Sequence, residues 1–169
     1  IYIKKNSLKF FLNLLIILFL IVFFFSSLNI YYFEGSLHFF FILLVCMASD
    51  IGGYVVGKSF GGKKLTKISP KKTISGSVGS FLFSIIPLIV LSLLLKYEYY
   101  ISFNNLFICL TISLSAQIGD LFISYIKRKA KVKDTGSILP GHGGLLDRID
   151  GIMLAVPVSA IFFSYSIIL

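Results

Sequence analysis

Leu37 to Val56 reads LHFFFILLVCMASDIGGYVV. Its reading decides the fold. A membrane span needs ~20 apolar residues to cross ~30 Å of hydrocarbon, and this stretch meets that length with one carboxylate, Asp50, inside it. Similar runs lie on both sides. Phe10 to Phe33 is almost unbroken Leu, Ile and Phe, and Val78 to Leu95, Phe103 to Ile126 and Gly151 to Leu169 complete the set. Phe10–Phe33 reads as a membrane helix rather than a cleaved signal peptide, whose apolar region is shorter and is followed by a small-residue cleavage site. Pro87 and Pro157 fall within spans, where a kink is tolerated. With 169 residues, 57% of them hydrophobic, and a mean hydropathy of +0.94, a soluble domain is excluded. The expected fold is all-α: a polytopic helical integral membrane protein with about five transmembrane helices and two basic cytoplasmic loops. The chain begins with Ile rather than Met, which points to an unusual start or to sequence preceding it.

The net charge of +9 would suggest a nucleic-acid partner in a soluble protein. Here the topology rule accounts for it, and no nucleic acid is expected. With the N-terminus inside, three lysines fall in the N-terminal tail and six basic residues in each of two loops, and only Lys96 falls on the other side. Tyr31, Tyr32, Tyr97, Tyr99 and Tyr100 gather at that opposite face as an interfacial belt. The basic loops are therefore expected in the cytoplasm. Cys46 and Cys109 lie in apolar runs and read as packing residues. Gly53-x-x-x-Gly57 permits close helix packing, with a homodimer as a lesser use of it.

Asp50 and Asp120 each stand six residues from the expected cytoplasmic end of a span, a depth of ~9 Å at 1.5 Å per residue. Acids at matching depth on two helices suggest one polar cavity, and intramembrane acids are functional by default. A structural hydrogen bond or pairing with a lysine is the alternative. Gly57 to Ser77 reads as a polar loop with six lysines.

The other polar segment is Ser124 to Asp150, SYIKRKAKVKDTGSILPGHGGLLDRID. Asp147 and Asp150 are three residues apart ahead of an apolar helical run, so they share a helix face and can hold a hard cation such as Mg2+. Pro140-Gly141-His142-Gly143-Gly144 has little side-chain bulk, so its backbone N–H groups can approach phosphate oxygens. Lys127, Arg128, Lys133 and Arg148 add positive charge, and Arg can grip phosphate through two bonds at once. Lys129 and Lys131 read as surface charges, and His142 as a loop-shaping donor or a phosphate contact.

The pattern S-x-x-K-R-x4-K-D-x-G-x3-P-x-H-G-G-x2-D-R-x-D, unbroken from Ser124 to Asp150, resembles the signature of phosphatidate cytidylyltransferases, the CDP-diacylglycerol synthases. Ser69-Pro70-Lys71-Lys72-Thr73 resembles a second motif of that family, and Gly119-Asp120-Leu121-Phe122-Ile123-Ser124 fits its G-D-x-x-x-S segment. Where the family often has Trp-Glu-Gly after the second motif, this chain has Ile74-Ser75-Gly76. The resemblance covers roughly residues 37–169, which would form the catalytic membrane domain, with 1–36 a motif-free N-terminal helix and its flanks.

The resemblance implies cytidylyl transfer from CTP to phosphatidate, giving CDP-diacylglycerol and pyrophosphate at the inner face of a bacterial cell membrane. Asp120, Asp147 and Asp150 are expected to hold Mg2+, alone or with a second cation, with Lys127 and Arg128 beside them in the catalytic set. Asp50 would support the site. Ser69, Lys71, Lys72, Thr73, Ser124, Lys133, Asp134, Gly141, His142, Gly143, Gly144 and Arg148 would bind substrates. The rivals are a CTP-dependent kinase or cytidylyltransferase for a polyprenol or ether lipid, a small transporter with Asp50 and Asp120 on an ion path, and an inactive scaffold. A transporter would need polar groups through the outer half of its spans, which is nearly bare.

Overall fold

The computed structural model describes residues 2–66, 68–95, 101–129, 132 and 149–164. Helix α1, Tyr2–Asn29, ends in a π-helical turn, Ile30–Glu34. Gly35, at φ 102°, reverses the chain into α2, Ser36–Phe60. A loop over residues 61–73 leads to α3, Ile74–Ser84, and α4, Ile86–Leu94. Helix α5 is Phe103–Lys129 and α6 is Ile152–Ser164. Among the described residues, Ile16–Glu34, Ser36–Phe60, Ile74–Leu94 and Phe103–Lys129 are long and apolar enough to cross a membrane, and α6 is a shorter apolar helix. The chain is a polytopic helical membrane protein.

Three boundaries differ from the sequence expectation. Helix α2 continues through Gly57-Lys58-Ser59-Phe60, assigned above to the loop, because the residues that stop it are Gly61 and Gly62 at φ 58° and 101°. Ile74 to Ser77, also assigned to the loop, form the first turn of α3. The third span is two helices rather than one. Pro87 lacks the N–H that would bond the Phe83 carbonyl, and the helix breaks at Ile85.

Buried apolar side chains from four helices meet at the centre: Ile42, Val45 and Cys46 from α2, Leu88 from α4, Ile108, Cys109 and Ile112 from α5, and Ala155 and Val156 from α6. Both cysteines are buried free thiols, as expected of packing residues. The outer surface is also apolar. Phe24, Phe25, Phe40, Met47, Leu82, Leu93 and Phe107 are exposed, the arrangement of a bundle whose solvent is lipid.

Apolar burial gives little drive between helices in lipid, so close backbone approach matters more. The α2–α3 contact is built from glycine. A Cβ on Gly52 would sit 2.5 Å from the Gly79 carbonyl oxygen, and one on Gly76 would sit 2.7 Å from that of Gly53. Gly53 and Gly57 thus serve a contact within the chain. A second approach joins α5 to the start of α6, where a Cβ on Gly119 would lie 2.9 Å from the Asp150 carbonyl oxygen.

Candidate functional site

The 61–73 loop folds back on itself. The Leu65 N–H donates to the Lys72 carbonyl at 2.8 Å and the Ile74 N–H to that of Lys63 at 3.0 Å, around an antiparallel bridge between Lys64 and Thr73. Thr73 then caps α3. Its hydroxyl accepts from the Gly76 N–H at 3.1 Å, satisfying one of the donors a helix start leaves unpaired. Ser75, at the position where the related motif carries an acid, donates to the Gly61 carbonyl and lies 3.0 Å from the Thr73 hydroxyl. These bonds tie the end of α2 to the start of α3 and hold Lys71 and Lys72 over the end of the bundle.

Beneath them is a cleft of about 300 Å³. Asp50, Gly53 and Tyr54 enter it from α2, Ser77 and Ser80 from α3, and Gln117 and Asp120 from α5. Ser69, Lys71, Lys72 and Thr73 form the wall on the loop side. Asp50 and Asp120 stand ten and nine residues from their helix ends, respectively, so their depths still match. Asp120 forms an ion pair with Lys72 and accepts from the Ser124 hydroxyl at 3.2 Å. The floor is a chain of hydrogen bonds across three helices. Ser77 donates to the side-chain amide oxygen of Gln117, the Gln117 amide nitrogen donates to the Ser113 hydroxyl at 3.3 Å, and Ser113 meets Ser49 at 2.7 Å, both fully buried.

Asp150 sits at the start of α6, brought beside α5 by the Gly119 contact. Lys127 reaches it at 3.6 Å and the Gly151 N–H donates to it at 2.9 Å. Burial pushes its carboxyl up to about 6, with the charge of Asp120 adding to the shift. Lys127 and the Gly151 N–H pull the other way, and Asp50 adds a smaller upward push.

The predicted residues therefore separate into groups. Asp50, Ser69, Lys71, Lys72, Thr73 and Asp120 meet in the cleft, Ser124 is bonded to Asp120, and the Lys127–Asp150 pair flanks them. Arg128 lies instead on a separate groove with Ile68, Pro70, Tyr125 and Lys129. Lys133, Asp134, Gly141, His142, Gly143, Gly144, Asp147 and Arg148 lie outside the described residues. Sequence reasoning missed Tyr54, Ser77, Ser80 and Gln117. The signal was present in part: Ser113, Gln117, Asp120 and Ser124 recur at helical spacing and make one polar stripe on an apolar helix.

Among the described residues, no group of three His, Cys, Asp or Glu side chains could hold a metal ion. Two of the three proposed ligands, Asp120 and Asp150, lie close enough for the charge of one to raise the other. An all-carboxylate set in which mutual repulsion must be offset is suited to a hard divalent cation. Among the described residues Asp120 and Asp150 offer hard oxygen donors of the kind Mg2+ prefers, each paired with a lysine, Lys72 and Lys127 respectively.

Fold and site together define an α-helical integral membrane protein with a charged cleft at one end of its bundle. A model of the cytidylyltransferase family matches residues 3–166, α1 included, and the chain belongs to that family. It is 45% identical over 116 residues to a phosphatidate cytidylyltransferase of Rickettsia bellii, a match covering 64% of this chain and 50% of the relative. It is 42% identical over 132 residues to one of Staphylococcus aureus, covering 74% and 48%. It is also 42% identical over 144 residues to one of Rickettsia prowazekii, covering 80% and 62%. The chain spans about half the length of the first two relatives.

Proposed function

We propose that this protein transfers a cytidylyl group from CTP to phosphatidate, giving CDP-diacylglycerol and pyrophosphate. The observation that carries this reading is the cleft, which gathers two aspartates from apolar helices, Asp50 and Asp120, with two lysines, Lys71 and Lys72. Its supports are membership of the family and the names of the relatives. The basic-loop asymmetry supports a cytoplasmic cleft, open to CTP from water and to phosphatidate from the bilayer.

A phosphate oxygen of phosphatidate attacks the α-phosphorus of CTP. A new P–O–P link forms, the bond from the α-phosphorus to its bridge toward the β-phosphorus breaks, and pyrophosphate departs with the electron pair. Phosphatidate is already largely ionised near neutral pH, by analogy with phosphomonoesters of second pKa ~6, so no general base is required. The task is to bring two anions together and stabilise charge on the leaving group. Lys71 and Lys72 supply positive charge from the loop. Lys72 keeps Asp120 neutralised until nucleotide binds, and then turns to phosphate. Asp120, Asp147 and Asp150 would hold Mg2+, which supplies charge neutralisation on the phosphate oxygens. Asp50 would support the site. Gln117 and Ser77 order the floor.

The test is the purified protein in detergent with phosphatidate, Mg2+ and CTP labelled at the α or the γ phosphate. Label from the α position in lipid, with pyrophosphate released, is the expected result. Label from the γ position alone would make the protein a lipid kinase, and no labelled lipid would refute the reading.

A further inference from the structure

The loop segment 68–71 has a different cavity on each side. Ser69 and Lys71 face the charged cleft, whereas the alternate residues Ile68 and Pro70 face a groove of about 560 Å³ on the outside of α5. The groove is completed by Tyr125, Arg128 and Lys129 from the last turns of that helix. Among the described residues that line it are two cations and no acid. Lys129 Nζ lies 4.9 Å from the centre of the Tyr125 ring, a stacking that holds the ammonium beside apolar surface. Arg128 donates one N–H to the Val132 carbonyl at 3.3 Å, and a guanidinium carries five such donors.

The helix face leading away from this pair is apolar. Ile118 and Phe122 lie on the same side of α5 as Tyr125 and Lys129, and both are exposed in the part of the helix that spans the bilayer. Cationic heads above an apolar strip match the two ends of an anionic lipid: phosphate at the interface and an acyl chain below it.

We propose that this groove holds the phosphate of an anionic membrane lipid, with its tail along Ile118 and Phe122. The occupant waits one loop's thickness from the cleft. This inference deepens the proposed reaction and rests on it only for the step that consumes the lipid, because the groove would be the place from which phosphatidate is handed across the 68–71 wall. Free phosphate shares the headgroup chemistry but has no use for the apolar strip.

The test places a thiol in the groove with Ile68→Cys. Cys46 and Cys109 are buried, so the new thiol dominates labelling by a water-soluble maleimide. The full chain is reconstituted in nanodiscs of phosphatidylcholine, with or without phosphatidate. Phosphatidate is expected to slow labelling about fivefold or more. Glycerol 3-phosphate and inorganic phosphate are expected to leave the rate unchanged, and Arg128→Gln with Lys129→Gln to abolish the protection. Equal protection by inorganic phosphate, or no effect of phosphatidate, overturns the proposal. Tyr125→Cys is a second reporter should Ile68→Cys not assemble. Label transfer from CTP, measured on the same nanodiscs, separates the two readings: protection without transfer sinks the reaction and keeps the groove, and transfer without protection sinks the groove alone.

Discussion

Lys72, on the loop after α2, forms an ion pair with Asp120 in the middle of α5, 48 residues on in sequence. The pair closes the cleft from above and sets loop and helix in register. Both side chains are about one quarter exposed, so each remains accessible to a ligand. Because the two groups interact directly, their removal should not be additive. Asp120→Asn and Lys72→Met should each destabilise the protein, and the double variant should lose less than the sum, with a coupling of about 0.5–3 kcal/mol. Unfolding in mixed micelles measures the cycle. Additive losses would show that the pair does not form in the membrane.

The glycine contact between α2 and α3 predicts a sharp cost. Gly52→Ala puts a methyl 2.5 Å, and Gly79→Ala 2.6 Å, from a carbonyl oxygen of the facing helix. Either change should cost about 1–3 kcal/mol or more and lower the melting temperature. Val56 also faces Gly79, but Val56→Ala should not rescue Gly79→Ala, since the Gly52 backbone remains in the way.

Thr73 serves the helix it begins. Thr73→Ala removes the acceptor for the Gly76 N–H and should destabilise by about 0.5–2 kcal/mol. Thr73→Ser retains the oxygen and should recover most of that loss. Amide exchange at Gly76 is the direct readout: faster in the alanine variant, near the parent rate in the serine variant. The proposed cytidylyl transfer, if it falls in both variants alike, would indicate a further role for the Thr73 methyl group.

Asp150 predicts a pH dependence of stability in the presence of chelator. Its carboxyl is raised from the ordinary 3.8 to about 6, so the folded chain holds this proton more tightly than the unfolded chain does. Its contribution is full below about 3.8 and is lost as pH rises through about 6. Asp150→Asn cannot lose a proton, so its melting temperature should change less than that of the parent between pH 5 and 7. Identical profiles in the two proteins would show that Asp150 is ordinary in solution.

Part of the cleft is legible in the sequence. Asp50 and Asp120 stand out because a carboxylate is costly within an apolar run, and their matching depths pointed to one cavity. Lys71, Lys72 and Thr73 were found through a motif, which says that residues belong together without saying how. Arg128 shows the limit: it adjoins Lys127 in sequence, yet successive residues on a helix point about 100° apart. Lys127 therefore turns to Asp150 while Arg128 turns to the outer groove. Gln117 and Ser77 passed unnoticed because single uncharged polar residues are common in membrane helices.

Hydropathy determined by itself that the chain forms membrane helices, since a backbone in hydrocarbon must bond within its own segment. The same rule made every buried acid conspicuous. Which helix faces meet was decided only in three dimensions. Lipid is as apolar as leucine, so apolar pattern does not rank one helix pairing above another. The choice falls to backbone contacts at Gly52, Gly79 and Gly119 and to polar stripes whose groups need partners. Those contacts turn three separate stripes, on α2, α3 and α5, into one cleft.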